Sequence, residues 1–217
     1  MTDIKFCGMT RAADARAAAD LGAAYVGVVF AGGPREQTDE RAVEIFAALS
    51  PGVRRVGVFG ADAMTVIARR ASALALDVVQ LHADPTAREM AELRTLWPGE
   101  IWAALRVEGL ELPAHAAELF ATADAVLLDA KVPGVLGGRG VALDWSALAG
   151  SVAVMRNGRV RLVLAGGLRP ENVADAVRAL NPDVVDVSSG VEASVGIKDA
   201  ARMRAFRDAV RSVEVAR

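Results

Sequence analysis

RLVLAGGLRPENV (residues 161–173) and DVVDVSSG (residues 183–190) follow the same plan, 22 residues apart. Each opens on a run of Val and Leu, stops at small residues, and in the first case leads through Pro170 and Asn172 into an amphipathic stretch. Apolar residues this continuous describe a strand buried on both faces, where a half-exposed strand would alternate apolar with polar. A doubly buried strand, a tight turn and a helix start make one βα unit of a parallel sheet. Moving outward, the same kind of run recurs at IKFC (4–7), YVGVVF (25–30), RRVGVF (54–59), DVVQLH (77–82), IWAALRV (101–107) and AVLLDA (125–130), eight in all. Alanine-rich amphipathic segments, among them 12–21, 41–49, 63–74, 86–97 and 171–180, are good helix formers and lie between the runs. The runs repeat every 22 to 30 residues, stretching to about 36 around 131–161. Eight even units with no sign of a topological switch predict an α/β single (β/α)8 TIM barrel, a closed eight-stranded parallel sheet that leaves no edge.

The chain has 217 residues and 53% hydrophobic composition, with no linker-like tract or charge block, so one domain over 1–217 is expected. Its 25 basic and 27 acidic residues are dispersed, and nothing is dense enough to hold a polyanion. Nucleic acid is therefore not an expected partner. Cys7 is the sole cysteine, which rules out an intrachain disulfide and fits a reduced, cytoplasmic setting. No apolar run approaches the roughly 20 residues of a membrane span, so no membrane association is expected.

In a barrel of this kind, sites collect where the strands end. Those positions are Cys7 and Gly8, Phe30 to Arg35, Phe59, His82, Arg106, Asp129, Gly166 with Gly167, and Ser188, Ser189 and Gly190. The two last groups follow the seventh and eighth strands. Small residues there let an anion reach backbone N–H groups, which points to a phosphate site, although tight turns would use the same residues. Asp129 beside Leu127 and Leu128 is costly to bury unless it is hydrogen bonded or works as an acid or base. Asp186 lies inside its strand and suits either an internal hydrogen bond or a substrate hydroxyl. Cys7 is open between a small buried hydrophobe and a functional thiol. His82 fits either a core histidine or a site-lining one, whereas His115 reads as surface structure. Arg35 in its glycine-rich loop is a solvated charge or an anion clamp. VPGVLGGRG (132–140) is long for a βα loop and reads as a lid or as plain surface.

Taken together, KFCGMT (5–10), VGVF (56–59), VQLH (79–82), LLDAKVPG (127–134), GGRG (137–140), LDW (143–145), LAGGLRPENV (164–173) and VDVSSGVE (185–192) resemble the phosphoribosylanthranilate isomerase family in order from end to end, over about residues 3–207. The resemblance implies an Amadori rearrangement in tryptophan biosynthesis, run by two proton transfers with no metal and no organic cofactor. It implies Asp129 as the general acid and Cys7 as the general base. It further implies Arg35 on the anthranilate carboxylate, Gly166, Gly167, Ser188, Ser189 and Gly190 on the phosphate, and Asp186 near the ribose; His82, from its strand-end position, is expected in a supporting place. The expected partner is the small-molecule substrate, phosphoribosylanthranilate, and the expected state a monomer or homodimer. Such chemistry needs a thiol that is at least partly ionised, so a lowered Cys7 pKa is expected, helped by N–H donors or Lys5. The chain departs from the family pattern at Ala83, where a glycine is usual, and in AGGP (31–34), where a serine commonly precedes the proline.

Two other readings compete. A histidine-pathway aminoaldose isomerase runs the same rearrangement but resembles a pair of aspartates, whereas strand one here ends in Cys7. A non-catalytic phosphate-binding barrel would not need both Cys7 and Asp129.

Overall fold

The computed structural model describes residues 1–130, 144–156, 158 and 160–215. The segment 132–140, read above as a possible lid, lies outside them. The eight expected strands are present as β1 (Asp3–Phe6), β2 (Tyr25–Val29), β3 (Arg54–Phe59), β4 (Val78–Leu81), β5 (Glu100–Val107), β6 (Ala125–Ala130), β7 (Arg161–Leu164) and β8 (Val184–Val187). They pair in sequence order, all parallel, and β8 closes on β1 with Asp3 opposite Val184 and Lys5 opposite Asp186. This is the (β/α)8 barrel that the rhythm of the sequence predicts.

Helices follow the strands in turn: α1 (Ala12–Asp20), α2 (Asp39–Ala47), α3 (Met64–Ala73), α4 (Ala87–Leu96), α5 (Ala116–Thr122), α6 (Trp145–Met155), α7 (Val173–Leu180) and α8 (Ala200–Val215). Local chemistry fixes several ends. Thr86 and Glu89 form a reciprocal capping box at the start of α4. Helix α7 buries Val173, Ala176, Val177 and Leu180, the i, i+3, i+4, i+7 face, and stops where Asn181 turns left-handed. His115 stands at the N-terminal boundary of α5, makes no capping hydrogen bond with its side chain, and is exposed, as read from the sequence.

Because strand side chains alternate, each run delivers every second residue to the barrel interior and the rest to the helices. The inner set includes Tyr25, Val56, Val78, Trp102, Leu127, Val163 and Val184, while Ile4, Phe6, Leu81, Leu128 and Val185 face the helix layer. Phe6 meets Phe206 of α8 with ring centroids 6.2 Å apart, packing the last helix onto the first strand. The same alternation carries Lys5 and Cys7, Gln80 and His82, Leu127 and Asp129, and Asp186 and Ser188 inward in pairs, the second of each nearer the strand end. Above an apolar floor the interior therefore becomes polar toward the C-terminal mouth. Between β8 and α8 lie a short 3₁₀ turn, Ser189–Val191, and a small antiparallel hairpin, β9 (Glu192–Ser194) with β10 (Ile197–Lys198), which the sequence reading did not anticipate.

Candidate active site

A cavity of about 390 Å³ opens at the C-terminal ends of the strands, within the size range of small-molecule sites. Cys7, Arg35, His82, Asp129, Gly166, Gly167, Asp186, Ser188 and Ser189 line it, joined by Gln80 and by apolar groups such as Val58 and Leu168. Gly190 stands apart from this lining. A side chain at Gly190 would run into the carbonyl of Leu168, so the residue's small size lets the eighth-strand loop pack against the seventh. Arg106, another strand-end candidate, is tied by a two-pronged pair to Asp84 and does not line the cavity.

Gly166 and Gly167 both adopt positive φ, 79° and 66°, a conformation that most side chains resist. A Cβ at Gly166 would also lie 2.6 Å from the Ala130 nitrogen and 2.8 Å from Asp129 Oδ1. The turn is held from behind by Asn172, whose Nδ2 donates to the Gly167 carbonyl at 3.0 Å and whose Oδ1 accepts from the Arg169 amide at 2.9 Å. Across from it, Ser189–Val191 form the single helical turn after β8. Among the described residues, the amides of Gly167, Ser189 and Gly190 have no hydrogen-bond acceptor. Unengaged N–H groups on two adjoining loops, one at a helical turn, make a place for an anion.

Lys5 is fully buried; its ammonium donates to Gln80 Oε1 at 2.8 Å and to Asp186 Oδ2 at 2.7 Å. Burial works against that charge, but Asp186 and the neighbouring Cys7 raise the Lys5 pKa above its ordinary value. The internal hydrogen bond read for Asp186 is present, Oδ2 being the partner of Lys5, while the buried Oδ1 has no partner among the described residues. Cys7 differs from expectation. Burial pushes its thiol up; Lys5 and Lys198 pull it down and Asp186 pushes it further up, leaving it above the usual thiol value. The close cation is where the sequence suggested, yet desolvation outweighs it. A Cβ at Gly27 would come within 2.8 Å of Cys7 Sγ and 3.2 Å of Lys5 Cε, so that glycine leaves the space both side chains use.

His82 Nε2 stands 3.4 Å from Asp129 Oδ2, and its Nδ1 pairs with Gln80 Nε2 at 3.2 Å. Arg35 is already engaged: Nε and Nη2 reach the Glu192 carboxylate at 2.8 and 2.7 Å. Glu192 is also bonded by Lys198 at 3.0 Å, and Lys198 in turn donates to the Ser188 carbonyl at 3.1 Å. Burial raises the Glu192 carboxyl, but Arg35 and Lys198 hold it below the usual range. Burial likewise lowers the Lys198 ammonium, with Glu192 opposing. Arg35 Nη1 has no acceptor among the described residues.

Glu192, Lys198, Lys5 and Gln80 thus belong to the site, although the sequence reading gave Lys5 only a helping part and the others none. Lys5 and Gln80 carried a usable signal, since a polar residue inside a doubly buried strand must either find a partner in the barrel or serve a ligand. Glu192 and Lys198 meet only through the β9–β10 hairpin.

Residues 4–209 match the sequence profile of the N-(5'-phosphoribosyl)anthranilate isomerase family. The chain belongs to this family. It is 45% identical over 208 residues to the N-(5'-phosphoribosyl)anthranilate isomerase of Pseudomonas fluorescens (strain Pf0-1), covering 95% of this chain and 97% of that protein. The crystal structure of phosphoribosyl anthranilate isomerase from Thermotoga maritima superposes with a TM-score of 0.87 at 34% identity, covering 98% of this chain and all of the other. A second solved structure, phosphoribosyl anthranilate isomerase in complex with reduced 1-(o-carboxyphenylamino)-1-deoxyribulose 5-phosphate, gives a TM-score of 0.84 at 32% identity with the same coverage. Among the described residues, no helix is long and apolar enough to cross a membrane.

Proposed function

We infer that this cavity carries out the Amadori rearrangement of N-(5'-phosphoribosyl)anthranilate to 1-(2-carboxyphenylamino)-1-deoxyribulose 5-phosphate in tryptophan biosynthesis, with the chain from 1 to 217 acting as one catalytic domain. The observation that carries the assignment of roles is that Cys7 at the end of β1 and Asp129 at the end of β6 line one cavity, with the loops after β7 and β8 in the same wall. The phosphate sits on Gly166, Gly167, Ser188, Ser189 and the amide of Gly190, whose lack of a side chain also lets the two loops pack together. Arg35 meets the anthranilate carboxylate with its unused Nη1, its guanidinium held in place by Glu192. Asp186 Oδ1 accepts from a ribose hydroxyl.

Asp129, protonated, gives its proton to the furanose ring oxygen. The bond from that oxygen to C1 breaks as the anilino nitrogen lone pair forms the C1=N bond, and the sugar opens to a Schiff base. Cys7 thiolate then removes the C2 proton, and the C2–H electrons shift to give the enolamine, which tautomerises to the ketone. The Lys5 ammonium beneath Cys7 compensates the thiolate in a pocket that otherwise disfavours charge. The site lining also fits a catalyst better than a plain phosphate binder, since a binder gains nothing from burying a thiol and a carboxylic acid together.

The test is turnover of freshly prepared phosphoribosylanthranilate, followed as loss of anthranilate fluorescence, beside the histidine-pathway aminoaldose under identical conditions. Consumption of the first is expected. Turnover of the aminoaldose alone would move the chain's activity to the histidine-pathway reaction.

A further inference from the structure

The polar groups under the mouth of the barrel form an ordered series whose proton positions are fixed from one end. Lys5 Nζ, an ammonium, has only donors, and it lies 2.8 Å from one terminal atom of the Gln80 amide. That atom must be the carbonyl oxygen. The other terminal atom, 3.2 Å from His82 Nδ1, is then the NH₂ group, which can only donate. Neutral His82 must therefore present Nδ1 as an acceptor and carry its proton on Nε2, the atom that faces Asp129 Oδ2 at 3.4 Å. Lys5 cannot swing away, since its ammonium is completely buried and also bonded to Asp186 at 2.7 Å. Gln80 is equally constrained at 2% exposure, in strand β4 between β3 and β5.

The consequence falls on the acid. An N–H hydrogen bonded to Oδ2 competes with any proton on that oxygen, so with Nε2 engaged there the acidic proton of Asp129 belongs on Oδ1. Oδ1 is the oxygen beside Gly166, where a glycine keeps open the space between the carboxyl and the seventh-strand loop. At 3.4 Å the two atoms are not hydrogen bonded in the structure; a small turn of ring or carboxyl would join them, and contacts of this kind commonly tighten when a site fills.

We propose that Gln80, held by Lys5, is a positioning residue that sets the Nε2–H tautomer of His82 and so leaves Oδ1 of Asp129 as the oxygen that delivers the proton. The inference rests on the assignment of Asp129 as general acid, but the tautomer itself does not, and the two are measured separately.

The chain has two histidines, His82 and His115. Imidazole ¹⁵N spectra of the full-length protein therefore contain two rings, and His115→Gln, at the exposed N-terminal boundary of α5, assigns them. The expected wild-type signature for His82 is a protonated, pyrrole-like Nε2 and an unprotonated, pyridine-like Nδ1. Gln80→Glu places an acceptor against Nδ1 while keeping a partner for Lys5, and should reverse the two signals. With phosphoribosylanthranilate, that variant should lose about tenfold to a hundredfold in kcat with KM changed less than about twofold, in line with the usual effect of a residue that orients another. Gln80→Leu removes the constraint without reversing it and should give a mixture of tautomers with an intermediate loss. A wild-type His82 protonated on Nδ1, or a signature unmoved by Gln80→Glu, overturns the proposal. So does a reversed tautomer with an unchanged kcat. Wild-type protein that shows the expected tautomer but no turnover supports the tautomer arm and removes only the assignment of the reaction.

Discussion

At the scale of single residues, the site is a set of charges whose worth depends on how little water reaches them. Cys7 is the clearest case. A thiol raised by burial is mostly protonated near neutrality, but once ionised it is a stronger base than a free thiolate. Because Cys7 is the only thiol, alkylation by iodoacetamide reports on it alone. The rate should rise with a midpoint above the ordinary thiol value of about 8.5, and a phosphorylated product analogue should slow it. The sign follows from linkage: a raised thiol pKa favours the folded state at lower pH, and that contribution fades as pH passes the folded value. A midpoint at or below the free-thiol value would mean that Lys5 outweighs desolvation. Arg35 offers a second case. Arg35→Ala should raise KM about tenfold to a hundredfold with little change in kcat, the loss of one charged hydrogen-bonding partner distant from the reacting carbons. An unchanged KM in steady-state assays removes the carboxylate-clamp role. Most of these residues were legible in the sequence because each stands where an apolar run stops. Glu192 was not, since its pairing with Arg35 spans 157 positions and no periodicity links them.

At the scale of elements, the runs ending in Cys7, His82, Gly166 and Ser189 were read one to two residues too long, and the excess is informative. Strand pairing stops at Phe6, Leu81, Leu164 and Val187, and the residues just beyond are the ones that line the cavity. They keep the inward direction set by the strand but are released from the ladder, so their side chains can face a ligand. The loops after β7 and β8 depend on one another through Gly190. Gly190→Ala should push a methyl into the Leu168 carbonyl, destabilise the fold by about 1–3 kcal/mol in urea titration, and weaken competitive inhibition by inorganic phosphate. Thr86→Ala gives the contrast. It removes the α4 capping box at a cost of about 1 kcal/mol and should leave phosphate inhibition as it was. Equal phosphate inhibition in wild type and Gly190→Ala would show that the two loops do not act as a single anion site. The β9–β10 hairpin was not legible because its strands are three and two residues long, too short for any alternation to register.

At the scale of the whole molecule, closure is what makes the site. The eight runs gave the architecture because buried parallel strands must be apolar on both faces, and their even spacing left no place for a switch in strand order. What the runs could not display was which of their few polar residues would meet. Lys5 and Asp186 are 181 positions apart and become neighbours only when β8 pairs with β1. The proposed acid, Asp129 on β6, and the proposed base, Cys7 just beyond β1, are likewise brought to one cavity only by the closed ring. The measurement that bears most directly on their cooperation is the turnover of freshly prepared phosphoribosylanthranilate by wild type, Cys7→Ala and Asp129→Asn, with folding verified by circular dichroism. The expected result is consumption by the wild type and a kcat about a hundredfold to ten-thousandfold lower in each variant, with KM little changed. Near wild-type kcat in either folded variant would contradict the assignment of Cys7 as base or Asp129 as acid.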